Sequence, residues 1–120
     1  ETVGLSEAAH RRAGDMSHGE HRQLEIAMAL ATSPELLLLD EPMAGMGVEE
    51  SARMVTLIGQ LTARHAILLV EHDMDAVFAL ADRITVMVYG QAIRTGTPDE
   101  IRADAAVQQA YLGEEGGGDA

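Results

Sequence analysis

Two short segments of this chain place acidic and imidazole side chains directly after apolar runs. Asp40 and Glu41 follow four consecutive leucines, and Glu71 and His72 follow the run 66–70. One carboxylate at such a point can hold the water shell of Mg²⁺, which prefers hard oxygen ligands. A second can orient or deprotonate an attacking water, and a histidine can donate a hydrogen bond to a phosphate oxygen. These residue types indicate phosphate chemistry, with a solvated acidic turn and an ordinary sheet-edge histidine as the alternative.

A third segment, from Ser17 to Glu20, predicts the start of a helix. Its serine, with a glutamate three residues later, has the pattern of a capping box. A helix N-terminus offers unpaired N–H groups and the positive end of the helix dipole, and both suit a phosphate oxygen. Gly19 has no Cβ, so a ligand can approach the backbone closely there. Taken alone, however, the segment favours an ordinary helix cap.

Alternating helices and strands must position these segments. Apolar residues recur at helical spacing after Ser17, as far as Pro34, and again from Val48 to Thr62. Apolar runs without alternation predict strands that are covered on both faces, as in a parallel sheet. This order predicts an α/β fold, whose ligands bind at the carboxyl ends of the strands. The acidic pair after the first strand and His72 after the second are therefore expected to lie side by side at that edge. The three predicted strands are 36–39, 66–70 and 84–89.

The last third of the chain predicts an antiparallel hairpin and a final helix. Gly90-Gln91 is a plausible two-residue turn that leads to a strand at 92–95. The segment 97–100 (TPDE) combines a capping threonine, a proline at the first helical position and a glutamate that completes the box. The helix is expected to end at Leu112. Residues 113–120 are acidic and rich in glycine, which predicts a mobile tail.

Composition and charge limit the classes of function. The chain has 120 residues, a formal net charge of −12 and no cysteine. The charge excludes nucleic acid binding by bulk electrostatics and disfavours an anionic membrane surface. Without cysteine there is no disulfide framework and no thiolate chemistry. The other histidines show no metal-ligand spacing with His72, so a histidine metal centre is not expected.

The order of the segments is more informative than any one of them. A capped helix beginning MSHGE (16–20) leads into the strand LLLLDE (36–41), and VEHD (70–73) follows after about one βαβ unit. This order resembles the C-terminal half of the ATP-binding subunit of an ABC transporter. It resembles in particular the ATPases of branched-chain amino-acid uptake systems. The segments that carry this likeness are 22–27 (RQLEIA), 40–46 (DEPMAGM), 70–74 (VEHDM) and 110–113 (AYLG).

At the strand ends, the resemblance implies ATP hydrolysis. The segment 36–41 is similar to Walker B and its catalytic glutamate. Asp40 is thereby expected to organise Mg²⁺, and Glu41 to activate the attacking water. His72 stands at the position of the switch histidine and is expected to hold the γ-phosphate. The implied cofactors are ATP and Mg²⁺, both expected only together with the N-terminal half of such a domain.

At the helix start, the segment 16–20 is similar to the ABC signature motif. The resemblance implies cofactor binding by Ser17, Gly19 and Glu20. In this family two subunits enclose ATP head to tail. Ser17 and Gly19 are therefore expected to contact the γ-phosphate of the ATP that a second subunit binds.

The chain also departs from the family pattern. Met16 and His18 replace the usual leucine and glycine of the signature, and Gly47 replaces the aspartate or asparagine that usually ends the D-loop (44–47). All eight basic residues are arginine, so a phosphate-binding loop that ends in Gly-Lys cannot occur in this chain. The resemblance thus implies a C-terminal fragment that lacks the P-loop strand and is inactive by itself.

This interpretation divides the chain into three parts. Residues 1–16 are expected to be a remnant of a helical subdomain, 17–112 the C-terminal part of the ABC ATPase core, and 113–120 the tail. The absent P-loop strand belongs between the strands 66–70 and 84–89. Its absence predicts an exposed sheet edge, whose unpaired N–H and C=O groups invite self-association.

The function implied by the resemblance is ATP hydrolysis in an ABC importer, with branched-chain amino acids as the expected substrates. The expected partners are a second ATP-binding subunit, transmembrane permease subunits and, indirectly, a periplasmic substrate-binding protein. The expected location is cytoplasmic, peripheral on the inner face of the cell membrane.

Three alternatives differ in class. The chain could be a non-catalytic truncation that only binds a partner. It could be the C-terminal lobe of a DNA-repair or chromosome-maintenance ATPase, but such a lobe needs a coiled coil and a basic face, and residues 1–15 show no heptads. Finally, it could be an α/β domain without nucleotide chemistry.

Overall fold

The computed structural model describes residues 2–112 of the chain. Two compact units, 1–76 and 77–120, make up the polypeptide. The predicted tail, 113–120, and the glycine expected to end the last helix lie outside the described residues. The division into a subdomain remnant, a core and a tail stays a prediction.

Two helices of the first unit begin and end close to where the sequence predicts. Helix α1 spans His18–Leu30 and helix α2 spans Val48–Leu61. The capping box before α1 is confirmed, because Ser17 Oγ accepts a hydrogen bond from Glu20 N (3.2 Å) and Glu20 Oε1 accepts one from Ser17 N (3.1 Å). Upstream of α1 the chain forms two short 3₁₀ turns, Ser6–Ala8 and Ala13–Asp15.

The two strands of the first unit pair in parallel. Strand β1 spans Leu36–Asp40 and strand β2 spans Ala66–Val70, in a register that sets Leu36 beside Ala66 and Asp40 beside Val70. Helix α3, Met74–Leu80, follows β2. The buried apolar residues of this unit come from α1, α2, α3, β1, the first 3₁₀ turn and the segments between these elements: Val3, Ala8, Ile26, Leu37, Met43, Met54, Leu57, Ile58, Leu61 and Ala76.

One face of this strand pair is exposed. Leu36, Leu38, Leu68 and Val70 are each more than half exposed, whereas Leu37 is buried. Alternate side chains of a strand point to opposite faces, so the four exposed residues form one apolar face. The expectation that these strands are covered on both faces is therefore wrong within the first unit, where no described element shields this face from solvent.

The second unit contains an antiparallel hairpin. Strand β3 spans Ile84–Val88 and strand β4 spans Gln91–Gly96. The turn is formed by Tyr89 and Gly90, not by Gly90 and Gln91, so the predicted turn is wrong by one residue. Both turn residues have positive φ, 49° and 77°. Two positive φ angles match the right-handed twist of the flanking strands, and this turn places Val88 opposite Gln91.

A small core joins the hairpin to two short helices, α4 (Pro98–Ala103) and α5 (Ala105–Val107), which lead into a π-helical turn, Gln108–Leu112. The predicted capping box of α4 is confirmed. The predicted α/β class, with parallel strands, a C-terminal antiparallel hairpin and short helices, is also confirmed. The buried residues of this core are Ile84, Val86, Ile101 and Val107, against which Val77, Phe78, Ala81 and Tyr111 pack.

Truncation of Ile101 tests whether this core stabilises the second unit. Ile101 is fully buried and Ile93 is 40% exposed. We expect Ile101→Ala to lower the free energy of unfolding by about 2–5 kcal/mol, because it removes buried methyl groups and leaves a cavity. The control, Ile93→Ala, should lower the free energy of unfolding by only about 0.5 kcal/mol. Urea unfolding followed by circular dichroism measures both, and equal losses would contradict the described core.

Candidate functional site

The parallel pairing of β1 and β2 brings two polar strand ends together. Asp40 is the register partner of Val70, and the N–H of Glu41 donates a 2.7 Å hydrogen bond to the carbonyl oxygen of Val70. Pairing therefore continues one residue beyond β1. Because parallel strands end at the same edge of a sheet, Glu41 lies beside the segment that begins at Glu71.

Glu41 and His72 are in direct contact. Glu41 Oε1 lies 3.0 Å from His72 Nδ1, and Glu71 Oε1 lies 3.6 Å from the same nitrogen. The side chains of Glu41 and His72 are 43% and 74% exposed, so both remain accessible to a ligand. The predicted proximity of this carboxylate and this imidazole is confirmed. Their roles stay predictions.

The backbone at Glu41 is strained. Its φ is 46°, in the left-handed region that residues with a Cβ seldom adopt. Two hydrogen bonds hold the residue there: its N–H donates to Val70 O, and its carbonyl oxygen accepts from Ala44 N at 3.1 Å. Strain of this kind persists where the surrounding structure enforces it, and it clusters at functional sites. Here it sets the direction in which the Glu41 side chain leaves the strand.

The electrostatics of the site favour a charged imidazole. The hydrogen bond from His72 to Glu41, and then the negative charge of Glu41, raise the pKa of His72 above its ordinary value. Glu71 and Asp73 contribute smaller effects in the same direction. A protonated His72 can donate from both ring nitrogens, one to Glu41 and the other to a second acceptor such as a phosphate oxygen.

Asp40 fits the role of a ligand to hydrated Mg²⁺. It is exposed at the end of β1, and within residues 2–112 it forms no ion pair and no side-chain hydrogen bond. Mg²⁺ keeps several waters and binds proteins through one or two carboxylates, so an accessible carboxylate beside Glu41 suits it.

The helix-start residues Ser17, Gly19 and Glu20 form a separate group. The Ser17 hydroxyl accepts the bond from Glu20 N, so its own proton is still available for a phosphate oxygen. Gly19 is buried, and a Cβ on it would lie 2.9 Å from Glu50 Oε2. Gly19 thus permits the close approach of the Glu50 carboxylate, a contact that the sequence did not predict.

A small cleft that is open to solvent lies between the start of α1 and α2. Its charged side chains are Glu20, Glu50 and Arg53. No hydrogen bond or ion pair among the described residues connects this cleft to Glu41 or His72. The structure therefore places the predicted site residues in two groups, one at the helix start and one at the strand ends.

Sequence reasoning did not assign a role to Glu71. Its side chain is only 2% exposed, although the residue directly follows a strand. One feature could have indicated that Glu71 lies near Glu41. Val70 and Asp40 are register partners, and Glu71 and Glu41 are the residues that directly follow them. Nothing in the sequence alone indicates that this carboxylate is buried.

Comparisons with known proteins show which families this chain resembles. The family model described as "ABC transporter" matches residues 1–44, and that described as "Branched-chain amino acid ATP-binding cassette transporter" matches residues 95–117. The high-affinity branched-chain amino acid transport ATP-binding protein LivG of Salmonella typhimurium is 46% identical over 116 residues, which cover 95% of this chain and 46% of LivG. BraF of Pseudomonas aeruginosa, which carries the same description, is 43% identical over the same shares.

A solved structure is also similar to this chain. The ADP conformation of an ATP-binding cassette of an ABC transporter superimposes with a TM-score of 0.81 at 31% identity, covering 93% of this chain and 46% of that one. The chain belongs to the ABC ATP-binding family. It spans about half the length of the curated ABC relatives that it matches. Among the residues that the structure describes, no helix is both long enough and apolar enough to cross a membrane.

Titration of His72 tests the electrostatics of the contact between Glu41 and His72. We expect NMR to give a pKa for His72 above the ordinary histidine value, and Glu41→Gln to lower it, because the amide removes the negative charge. The raised pKa favours the folded chain at low pH, and this contribution is lost as pH rises through the folded pKa. The control is Glu49→Gln, in the exposed first turn of α2. An unchanged His72 pKa in Glu41→Gln would contradict the described contact.

Proposed function

We propose that this chain is the C-terminal part of an ATP-hydrolysing subunit of an ABC importer for branched-chain amino acids. The observation that carries the proposal is the 3.0 Å contact between Glu41 and His72 at the ends of two parallel strands. The names of LivG and BraF, which refer to branched-chain amino acid transport, support the substrate class.

In this proposal, Glu41 is the general base. One carboxylate oxygen, Oε1, is held by His72 Nδ1, so the other oxygen is free to orient a water and accept its proton. Protonated His72 donates from Nδ1 to Glu41 and from Nε2 to the γ-phosphate. Asp40 holds the water shell of Mg²⁺, which when bound neutralises charge on the phosphates. The strained backbone of Glu41 fixes the position of the base before substrate arrives.

The start of α1 has a different role in the proposal. Ser17, Gly19 and Glu20 form a signature motif that faces the ATP of a second subunit. The Ser17 hydroxyl donates a hydrogen bond to the γ-phosphate while it still accepts the capping bond from Glu20 N. Residues 1–16 would then be a remnant of the helical subdomain, and 17–112 the C-terminal part of the ATPase core.

The partners follow from the same proposal. They are a second ATP-binding subunit, transmembrane permease subunits and, through these, a periplasmic substrate-binding protein. The chain would act in the cytoplasm, on the inner face of the cell membrane. Its charge of −12 gives it no bulk attraction for nucleic acid.

Substitution of Glu41 tests the proposed mechanism. In the product of the complete reading frame, Glu41→Gln should reduce ATP hydrolysis by about 10²–10⁴-fold while ATP binding is retained, because the amide keeps the shape but accepts no proton. Glu49→Gln is the matched control and should hydrolyse at the normal rate. A rate in Glu41→Gln within a few fold of the parent would refute the assignment of the base. The 120-residue chain alone is expected to be inactive.

We also propose that the isolated chain self-associates at the strand pair β1–β2. The exposed apolar face formed by Leu36, Leu38, Leu68 and Val70 supports this, because burial of apolar surface against a second copy is favourable. The outer edge of β2 offers unpaired backbone groups to the same copy.

Sedimentation analysis tests this association. Leu38 is 67% exposed on the apolar face, and Val48 is 89% exposed at the start of α2. We expect Leu38→Glu to shift the chain towards monomer, because a charge on the face opposes its burial. Val48→Glu should leave the distribution unchanged. A monomeric parent chain, or equal effects of both variants, would contradict the proposal.

A further inference from the structure

The buried side chain of Glu71 has a property that ATP hydrolysis does not explain. Only 2% of it is exposed, and its Oε2 has no hydrogen-bond partner among residues 2–112. A buried carboxylate oxygen without a partner is unfavourable. The chain contains no lysine, and no arginine of the described part forms an ion pair with Glu71. A cation bound beside Glu71 would offset this cost.

Two further ligand atoms lie close to Glu71. Ligand atoms of Glu41, Glu71 and His72 all lie within 4.8 Å of one another, and within the described residues this is the single such group of three. His72 Nδ1 is 3.0 Å from Glu41 Oε1 and 3.6 Å from Glu71 Oε1. Ligand atoms about 2.1 Å from a tetrahedral metal ion are about 3.4 Å apart. The two measured separations bracket that value, and no separation in the group exceeds 4.8 Å. A three-ligand site therefore requires side-chain rotation and release to water of the Nδ1 proton that Glu41 now accepts in a hydrogen bond.

We propose that Glu41, Glu71 and His72 bind a divalent transition-metal ion such as Zn²⁺ through one imidazole nitrogen and two carboxylate oxygens. An imidazole ligand favours Zn²⁺ over Mg²⁺, which takes oxygen ligands and retains its waters. Three protein ligands leave a fourth tetrahedral position for water, because the exposed His72 side of the site is open to solvent. This site is distinct from the Mg²⁺ position assigned to Asp40.

The metal site has a consequence for hydrolysis that rests on the proposed function. Zn²⁺ would occupy Glu41 and His72, the groups assigned to the water and to the γ-phosphate. Bound Zn²⁺ should therefore inhibit ATP hydrolysis by competing for the same side chains. Binding of the metal by the chain itself is independent of that mechanism, and it can be measured without ATP.

Calorimetric titration of the 120-residue chain with Zn²⁺ alone, at one fixed pH, is the primary test. We expect one tight site in the parent chain, weakened at least about tenfold by Glu71→Gln and by His72→Gln. Two matched controls make the same changes at exposed positions: Glu49→Gln and His10→Gln. Both should bind Zn²⁺ as tightly as the parent chain does. No tight site, or equal binding by the ligand variants and the controls, would overturn the proposal.

X-ray absorption at the zinc edge of the parent complex supplies a readout that does not depend on the folding of any variant. The proposal requires one imidazole nitrogen and at least two oxygens at about 2.0–2.2 Å. No imidazole, or two of them, would overturn it, since a second imidazole must come from another of the five histidines. If the complete protein hydrolyses ATP but the chain binds no Zn²⁺, the metal site fails and the proposed function stands.

Discussion

The hydrogen bond from Glu41 N to Val70 O is the interaction on which the rest of the site depends. It continues the parallel ladder one residue past β1 and holds the two polar strand ends at the same level. Without it, the left-handed backbone of Glu41 would lose one of its two restraints and relax towards a more common conformation. The contact between a carboxylate and an imidazole 31 residues apart is thus a product of main-chain pairing.

A second constraint is the shortage of positive charge around this pairing. In a chain with a net charge of −12 and no lysine, the carboxylates of Glu41 and Glu71 share His72 as their cationic partner in the described residues. The two carboxylates raise the pKa of this imidazole, and their negative charge also attracts external cations. The proposed hydrolytic role uses the protonated imidazole, whereas a bound metal ion has to displace that proton.

Much of this could be predicted from the sequence, because local rules govern it. The capping boxes before α1 and α4, the parallel strands and the proximity of Glu41 and His72 follow from residue types, spacing and strand order. The expectations that proved wrong depend on geometry that the local sequence does not determine. The hairpin turn begins one residue earlier than predicted, because the two residues with positive φ are Tyr89 and Gly90. The burial of Glu71 and the exposed face of β1 and β2 depend on what packs nearby, which periodicity does not reveal.

The positive φ of Glu41 sets a limit on how this position can evolve. Glycine adopts that conformation without penalty, and asparagine does so more readily than glutamate. Replacements that relax the backbone would therefore make the turn more stable, yet neither keeps a carboxylate next to His72. A glutamate at this turn therefore carries a cost in folding stability that either replacement would avoid, and only the carboxylate can make the contact with His72 in return.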